Sequence, residues 1–171
     1  LRAATAQNAL MSAILAQPAF LYATPIRTAA SAVSEYFSGE QLPLLLRSES
    51  LVRLNLRHIS FKDMRSFVSS ARNTLTALDI CDCSLPTLPL GIEELWRLQT
   101  LTVIRAGLQS VPAATFIRLQ KLEIVNFSNN QLSALPTNGL ARVRELNLSH
   151  NQLSSLPGWL AHAPLQNLSL A

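Results

Sequence analysis

Glycine is scarce in this chain of 171 residues, with five in all, at positions 39, 91, 107, 139 and 158. They lie 16 or more residues apart, so neither a G-x-G-x-x-G turn nor a G-x-x-x-x-G-K loop exists, and nucleotide enzymes built on those cradles are excluded. Cysteine is scarcer still. Cys81 and Cys83 are too few to staple a secreted scaffold, which favours a reducing, intracellular compartment. The cytoplasm is the first expectation and the mitochondrion the second. The longest apolar stretch, residues 9–23, holds Gln17 and Pro18 and falls short of the roughly 20 residues that cross a bilayer. No membrane span is expected. Aromatics are 6% and charged residues 14%, whereas the hydrophobic fraction is 49% and leucine alone supplies 33 positions. Such a chain is too apolar to be a disordered tail and long enough for one domain. It opens on Leu1 rather than methionine and stops at Ala171, so a piece or processed form of a longer protein is expected.

A leucine excess without glycine or aromatics directs attention to periodicity. Val143-x-x-Leu146-x-Leu148-x-x-Asn151-x-Leu153-x-x-Leu156-Pro157 matches Leu122-x-x-Val125-x-Phe127-x-x-Asn130-x-Leu132-x-x-Leu135-Pro136 at every apolar position. Upstream the same frame passes through Leu98, Leu101, Val103, Ala106, Leu108 and Val111, and through Leu75, Leu78, Ile80, Cys83, Leu85 and Leu88. A more degenerate copy starts at Leu51 with Leu54, Leu56 and Ile59, and a sixth opens with Leu165, Leu168 and Leu170. The copies begin at residues 51, 75, 98, 122, 143 and 165. In each, the last two apolar residues of L-x-x-L-x-L are two apart, so on a strand they share one face while the residue between them faces the other way. One unit cannot cover its own apolar face. Stacked units share a continuous core, in which each buried Leu or Val contributes roughly 1.5–3 kcal/mol.

This pattern resembles the leucine-rich repeat family, over about residues 42–171. The resemblance implies an α/β fold, a right-handed curved solenoid with a parallel β-sheet on its concave side. Leu88-Pro89-Leu90-Gly91-Ile92-Glu93-Glu94-Leu95 and Val111-Pro112-Ala113-Ala114-Thr115-Phe116-Ile117-Arg118-Leu119 are similar to the family's L-P-x-x-I/F-x-x-L tails, which fill the convex side. It also implies that Asn130 and Asn151 are buried turn amides hydrogen-bonded to the neighbouring repeat, with Cys83 as an accepted substitute. Ala106 and Ile59 depart from that pattern, since neither side chain supplies the hydrogen bond. Less regular boundaries, and weaker first and third repeats, are expected there.

Residues 1–41 read differently. Ala6, Ala9, Leu10, Ala13 and Ile14 recur at helical steps before Pro18, and Ile26, Ala29, Ala30, Val33, Tyr36 and Phe37 do so before Gly39. Two amphipathic helices forming an N-terminal cap are the expectation, followed by the solenoid over 42–171. The alternative is a mitochondrial transit peptide, since residues 1–34 carry Arg2 and Arg27 and no acid. At the other end, the sixth repeat would leave an apolar face that more chain or a partner must cover.

Alternation assigns the solvent-facing strand positions: Arg53, Asn55 and Arg57; Ala77, Asp79 and Cys81; Thr100, Thr102 and Ile104; Ile124, Asn126 and Ser128; Glu145, Asn147 and Ser149; Asn167 and Ser169. Two ladders follow. His58, Asp82, Arg105, Asn129 and His150 alternate in sign over the first three members, which suits a chain of ion pairs or an ordinary solvated cross-strand pairing. Asn55, Asp79, Thr102, Asn126, Asn147 and Ser169 are small and polar, suited to hydrogen bonding with a protein surface and lacking aromatics that stack bases. The candidate partner-binding residues are Arg53, Asn55, Arg57, His58, Asp79, Asp82, Thr102, Arg105, Asn126, Asn129, Glu145, Asn147 and His150; Cys83, Asn130 and Asn151 form the structural turn ladder.

No catalytic, cofactor or small-molecule site emerges. Ser128, His150 and Asp82 make a trio on paper, but Asp82 and His150 lie three strands apart, outside hydrogen-bond reach. Cys81, placed on the open face beside Arg57, reads as an inert surface thiol rather than an activated nucleophile. Cys81 and Cys83 are assigned to opposite sides, with no Cys-x-x-Cys or His-x-x-x-His beside them, so no metal is expected. Asn126-Phe127-Ser128, Asn147-Leu148-Ser149 and Asn167-Leu168-Ser169 are formal glycosylation acceptors, better explained as products of the repeat. The expectation is a non-enzymatic protein-interaction module. The net charge of +4 and a pI near 9.7 keep a second reading open, a subunit of a ribonucleoprotein using Arg53, Arg57, Arg105 and Lys121 against phosphates. A third is the substrate-targeting part of a larger enzyme such as a ubiquitin ligase.

Overall fold

The computed structural model of the chain describes residues 52–57, 64, 65, 68, 71–138, 140 and 142–170. The expected capping helices at 1–41 and the first residues of the expected solenoid, 42–51, lie outside the described residues, as do His58 and Ile59. Six parallel strands form one open sheet in chain order. They are β1 (Arg53–Arg57), β2 (Ala77–Cys81), β3 (Thr100–Ile104), β4 (Ile124–Asn126), β5 (Glu145–Asn147) and β6 (Asn167–Ser169). Each begins two residues after a repeat start, so the sequence period becomes strand register without slippage. Leu54, Leu78, Leu101, Val125, Leu146 and Leu168 lie in one row across the sheet.

That row and the next, Leu56, Ile80 and Val103, continued by Phe127 and Leu148, face the interior; all but Leu168 are buried. The returning segments close the core from the convex side. A 3₁₀ turn, Ile92–Glu94, inserts Ile92 and is followed by buried Leu95, while helix α1 (Ala113–Arg118) inserts Phe116 and is followed by Leu119. The Phe116 and Phe127 rings meet at 6.2 Å between centroids, tilted by 51°. At the last repeat the packing thins. β6 is exposed throughout, and Leu156, Leu168 and Leu170 are each more than two-fifths exposed.

Leaving the strand requires a backbone reversal that the sequence does not advertise with glycine. Asp82, Arg105, Asn129 and His150 all adopt left-handed φ, between 50° and 58°, at the same place in four successive repeats. L-residues pay about 1–2 kcal/mol for this conformation, least for Asn and Asp, so the turn interior must hold them there. Asn130 does so. Its Oδ1 accepts from the Ala106 and Leu108 amides at 3.0 and 3.1 Å, and its Nδ2 donates to the carbonyls of Val103, Phe127 and Ser128 at 2.7–3.1 Å. Asn151 repeats the arrangement one turn on, accepting from Leu132 and donating to Phe127 and Leu148. The Cys83 thiol donates to Cys81 at 3.3 Å and, at 3.9 Å, to Leu56, which is the same carbonyl position in the preceding repeat.

Ala106 corrects the expectation of an irregular boundary. β2 and β3 pair over five residues, as fully as β1 and β2. The Leu85 amide, which an Asn side chain would receive, donates instead to the backbone carbonyl of Ala106 at 2.7 Å. Gly107 follows with φ of +69°, a conformation that swings the Ala106–Gly107 peptide into place.

Candidate functional site

Parallel pairing sets the concave face in three rows. Arg53, Ala77, Thr100, Ile124, Glu145 and Asn167 form one; Asn55, Asp79, Thr102, Asn126, Asn147 and Ser169 the second; Arg57, Cys81 and Ile104 a shorter third. The turn residues Asp82, Arg105, Asn129 and His150 border them. Charge is concentrated over β1–β3. Asp82 and Arg105 meet in a bidentate pair, Nε to Oδ1 at 2.6 Å and Nη2 to Oδ2 at 3.0 Å, and this hydrogen bonding raises the guanidinium further above its usual range. Arg53 Nε approaches Asp79 at 4.0 Å. His58, expected to extend this ladder, lies outside the described residues.

Over β4–β6 the face is neutral apart from exposed Glu145. Asn126 and Asn147 are bound locally: each Oδ1 accepts the amide two residues on, from Ser128 and Ser149, both at 3.0 Å. This Asx turn accounts for the repeated Asn-x-Ser and for strands that end at residues 126 and 147, whereas β1–β3 run two residues longer. Asn55 stands at the same row position in a longer strand, and its Oδ1 is buried with no hydrogen-bond partner among the described residues. Thr102 lies between Asp79 and Asn126, half-buried. Asn129 and His150 are exposed, and their carbonyls accept from Arg105 and Asn130.

Three positions assigned to solvent are buried instead: Ala77, Cys81 and Ser128, each 6% exposed. Small side chains flanked by larger ones are covered even on an open face. Cys81 sits between Arg57 and Ile104, and burial pushes its thiol above the usual range despite the opposing field of Arg57. It is therefore not a surface thiol. Nor does alternation separate it from Cys83, since residues two apart share a face on a strand. The left-handed residue Asp82 turns the chain between them, and neither thiol is in a disulfide.

The trio Ser128, His150 and Asp82 is not brought together, because Ser128 is buried, His150 is exposed and the Asp82 carboxylate is held by Arg105. Among the described residues no group of His, Cys, Asp or Glu could hold a metal, and no helix is long and apolar enough to cross a membrane. The set Arg53, Arg57, Arg105 and Lys121 is split as well. Three lie on the concave side, while Lys121 sits before β4 at the lateral edge, over the ring of Trp96. Arg97, Arg142 and Arg144 share that edge and were not singled out by strand alternation. Their signal is the basic residue immediately before the first apolar slot in three successive repeats, Arg97, Lys121 and Arg142.

A family model described as leucine rich repeat matches residues 96–153. Together with the six-stranded parallel sheet, this match supports a leucine-rich repeat protein. It is similar to a leucine-rich repeat protein of Leptospira interrogans, with 25% identity and a TM-score of 0.62 over 82% of this chain and 33% of the other. It is also similar to a chain in the structure of the Toll–Spätzle complex, described as a molecular hub in Drosophila development and innate immunity, with 26% identity and a TM-score of 0.60 over 71% of this chain and 17% of the other. The chain thus spans a third or less of the length of these two structures. No curated protein matches it in sequence.

Proposed function

We propose that the chain is a non-enzymatic, intracellular protein-binding module that engages its partner through the concave face of β1–β3. The observation that carries this reading is the fixed polar array there: Asp82 and Arg105 locked bidentately, Arg53 near Asp79, and the Asn55 carboxamide oxygen without a donor among the described residues. Side chains held in one geometry give up little conformational entropy on binding, and a buried acceptor without a donor favours a ligand that supplies one. Repeat domains of this kind generally bind proteins, and one of the two structures above is named for a protein complex. Two buried cysteines outside any disulfide support a reducing compartment.

The test is charge reversal of Arg53, Arg57 and Arg105 together, followed by measurement of partner affinity. Weakened binding is expected. Undiminished affinity in the triple variant would move the site off this face.

A further inference from the structure

The lateral edge at the N-terminal ends of β3–β5 carries a second arrangement with a different chemistry. Gln99, Glu123 and Arg144 directly precede or join the sheet and stack through backbone bonds, Glu123 donating to Gln99 at 2.9 Å and Arg144 to Glu123 at 2.8 Å. Two residues earlier in the same three repeats stand Arg97, Lys121 and Arg142, so strand stacking brings like charges into a row. All are exposed. Lys121, Arg142 and Arg144 border a cleft of about 300 Å³ together with Gln99, Gln120 and Glu123. Among the described residues none of these three cations is ion-paired, unlike Arg53 and Arg105 on the concave face. At the head of the row, Trp96 is 44% exposed with Arg97 and Lys121 against its ring at 5.5 and 5.3 Å.

Three cations against the single carboxylate of Glu123 leave the cleft net positive, and an incoming anion relieves the repulsion among them as it binds. We propose that this cleft is a second binding site, separate from the concave face, for an extended acidic segment of a protein partner. Its carboxylates would meet Lys121, Arg142 and Arg144, and the amides of Gln99 and Gln120 would serve the peptide backbone. A nucleic-acid strand fits less well. The indole that could stack a base already has two cations against it.

Fluorescence anisotropy of the full chain tests the assignment with labelled decamers of glutamate, of glutamine and of single-stranded RNA. The glutamate peptide is expected to bind, the glutamine peptide not to, and the RNA to bind more weakly than glutamate. Combining Lys121→Gln, Arg142→Gln and Arg144→Gln is expected to lower affinity for the acidic peptide by about tenfold or more. Arg118→Gln, in helix α1 on the convex side, should leave it unchanged. The lateral substitutions replace exposed side chains, and an unaltered thermal transition of each variant confirms its fold. Equal affinity in the lateral variant, tighter binding of RNA, or no binding of the glutamate peptide overturns the proposal.

Discussion

The carbonyl of Ala106 accepts the Leu85 amide at 2.7 Å, in the place where Asn130 Oδ1 takes the Leu108 amide and Asn151 Oδ1 takes that of Leu132. A main-chain group thus substitutes for a missing side chain, and the substitution depends on the residue that follows. Gly107 is left-handed at φ +69°, a conformation that costs an L-residue about 1–2 kcal/mol. Gly107→Ala is therefore expected to destabilise the fold by roughly that amount in urea denaturation. Gly158→Ala is the control, because its φ is not positive and an added Cβ there meets nothing within 4 Å. Equal stability of the two variants would contradict the peptide geometry.

The turn amides should dominate the stability of the repeat boundaries. Asn151→Ala strands the Leu132 amide and is expected to cost about 1–3 kcal/mol. Asn130→Ala strands two amides and removes a more deeply buried side chain, so it should cost more than Asn151→Ala in the same denaturation series. The reverse order would contradict this assignment of the turn hydrogen bonds.

Cys81 gives a pH prediction. Burial raises its thiol pKa in the folded chain above that of the unfolded chain. Both states are protonated below that unfolded value, so the contribution to stability is intact there. As pH rises past it the unfolded chain ionises first, and stability falls until the folded thiol also ionises. Thermal denaturation between pH 7 and 10 is expected to show a fall for the wild type that Cys81→Ala lessens. Native Cys81 should also react with a thiol reagent far more slowly than the unfolded chain. Rapid labelling in the folded state would contradict its burial.

The Asp82–Arg105 pair is expected to show favourable coupling in a double-mutant cycle of Asp82→Ala and Arg105→Ala, diminishing with added salt because both side chains reach solvent. Its energetic weight should be small beside that of Asn130. Coupling insensitive to salt would indicate a more enclosed pair than the geometry shows.

Much of the fold was legible because a strict L-x-x-L-x-L spacing admits one register: every strand begins two residues after a repeat start. Asn130, Asn151 and Cys83 were legible as turn residues for the same reason. The left-handed turns were not, since none of Asp82, Arg105 and His150 is glycine; the Asp82 and Arg105 amides are tied to Ile104 and Asn129 of the next repeat, a contact that spacing does not show. Alternation also misplaced Cys81, because it ranks direction and ignores the size of the neighbours; Arg57 and Ile104 cover the thiol. Of the lateral cations only Lys121 was legible as a candidate; Arg97, Arg142 and Arg144 were not, because they precede the strands, where a period of two carries no information. They become a row only once repeats of unequal length are stacked.

The central claim is that the concave face over β1–β3 binds a protein. Affinity capture of the full-length parent protein from its native lysate, with ribonuclease present, compared between wild type and the Arg53, Arg57 and Arg105 charge-reversal variant, tests it most directly. The account predicts a protein partner that survives ribonuclease and is lost from the variant. A bound set that collapses with ribonuclease, or that the variant retains in full, would contradict it.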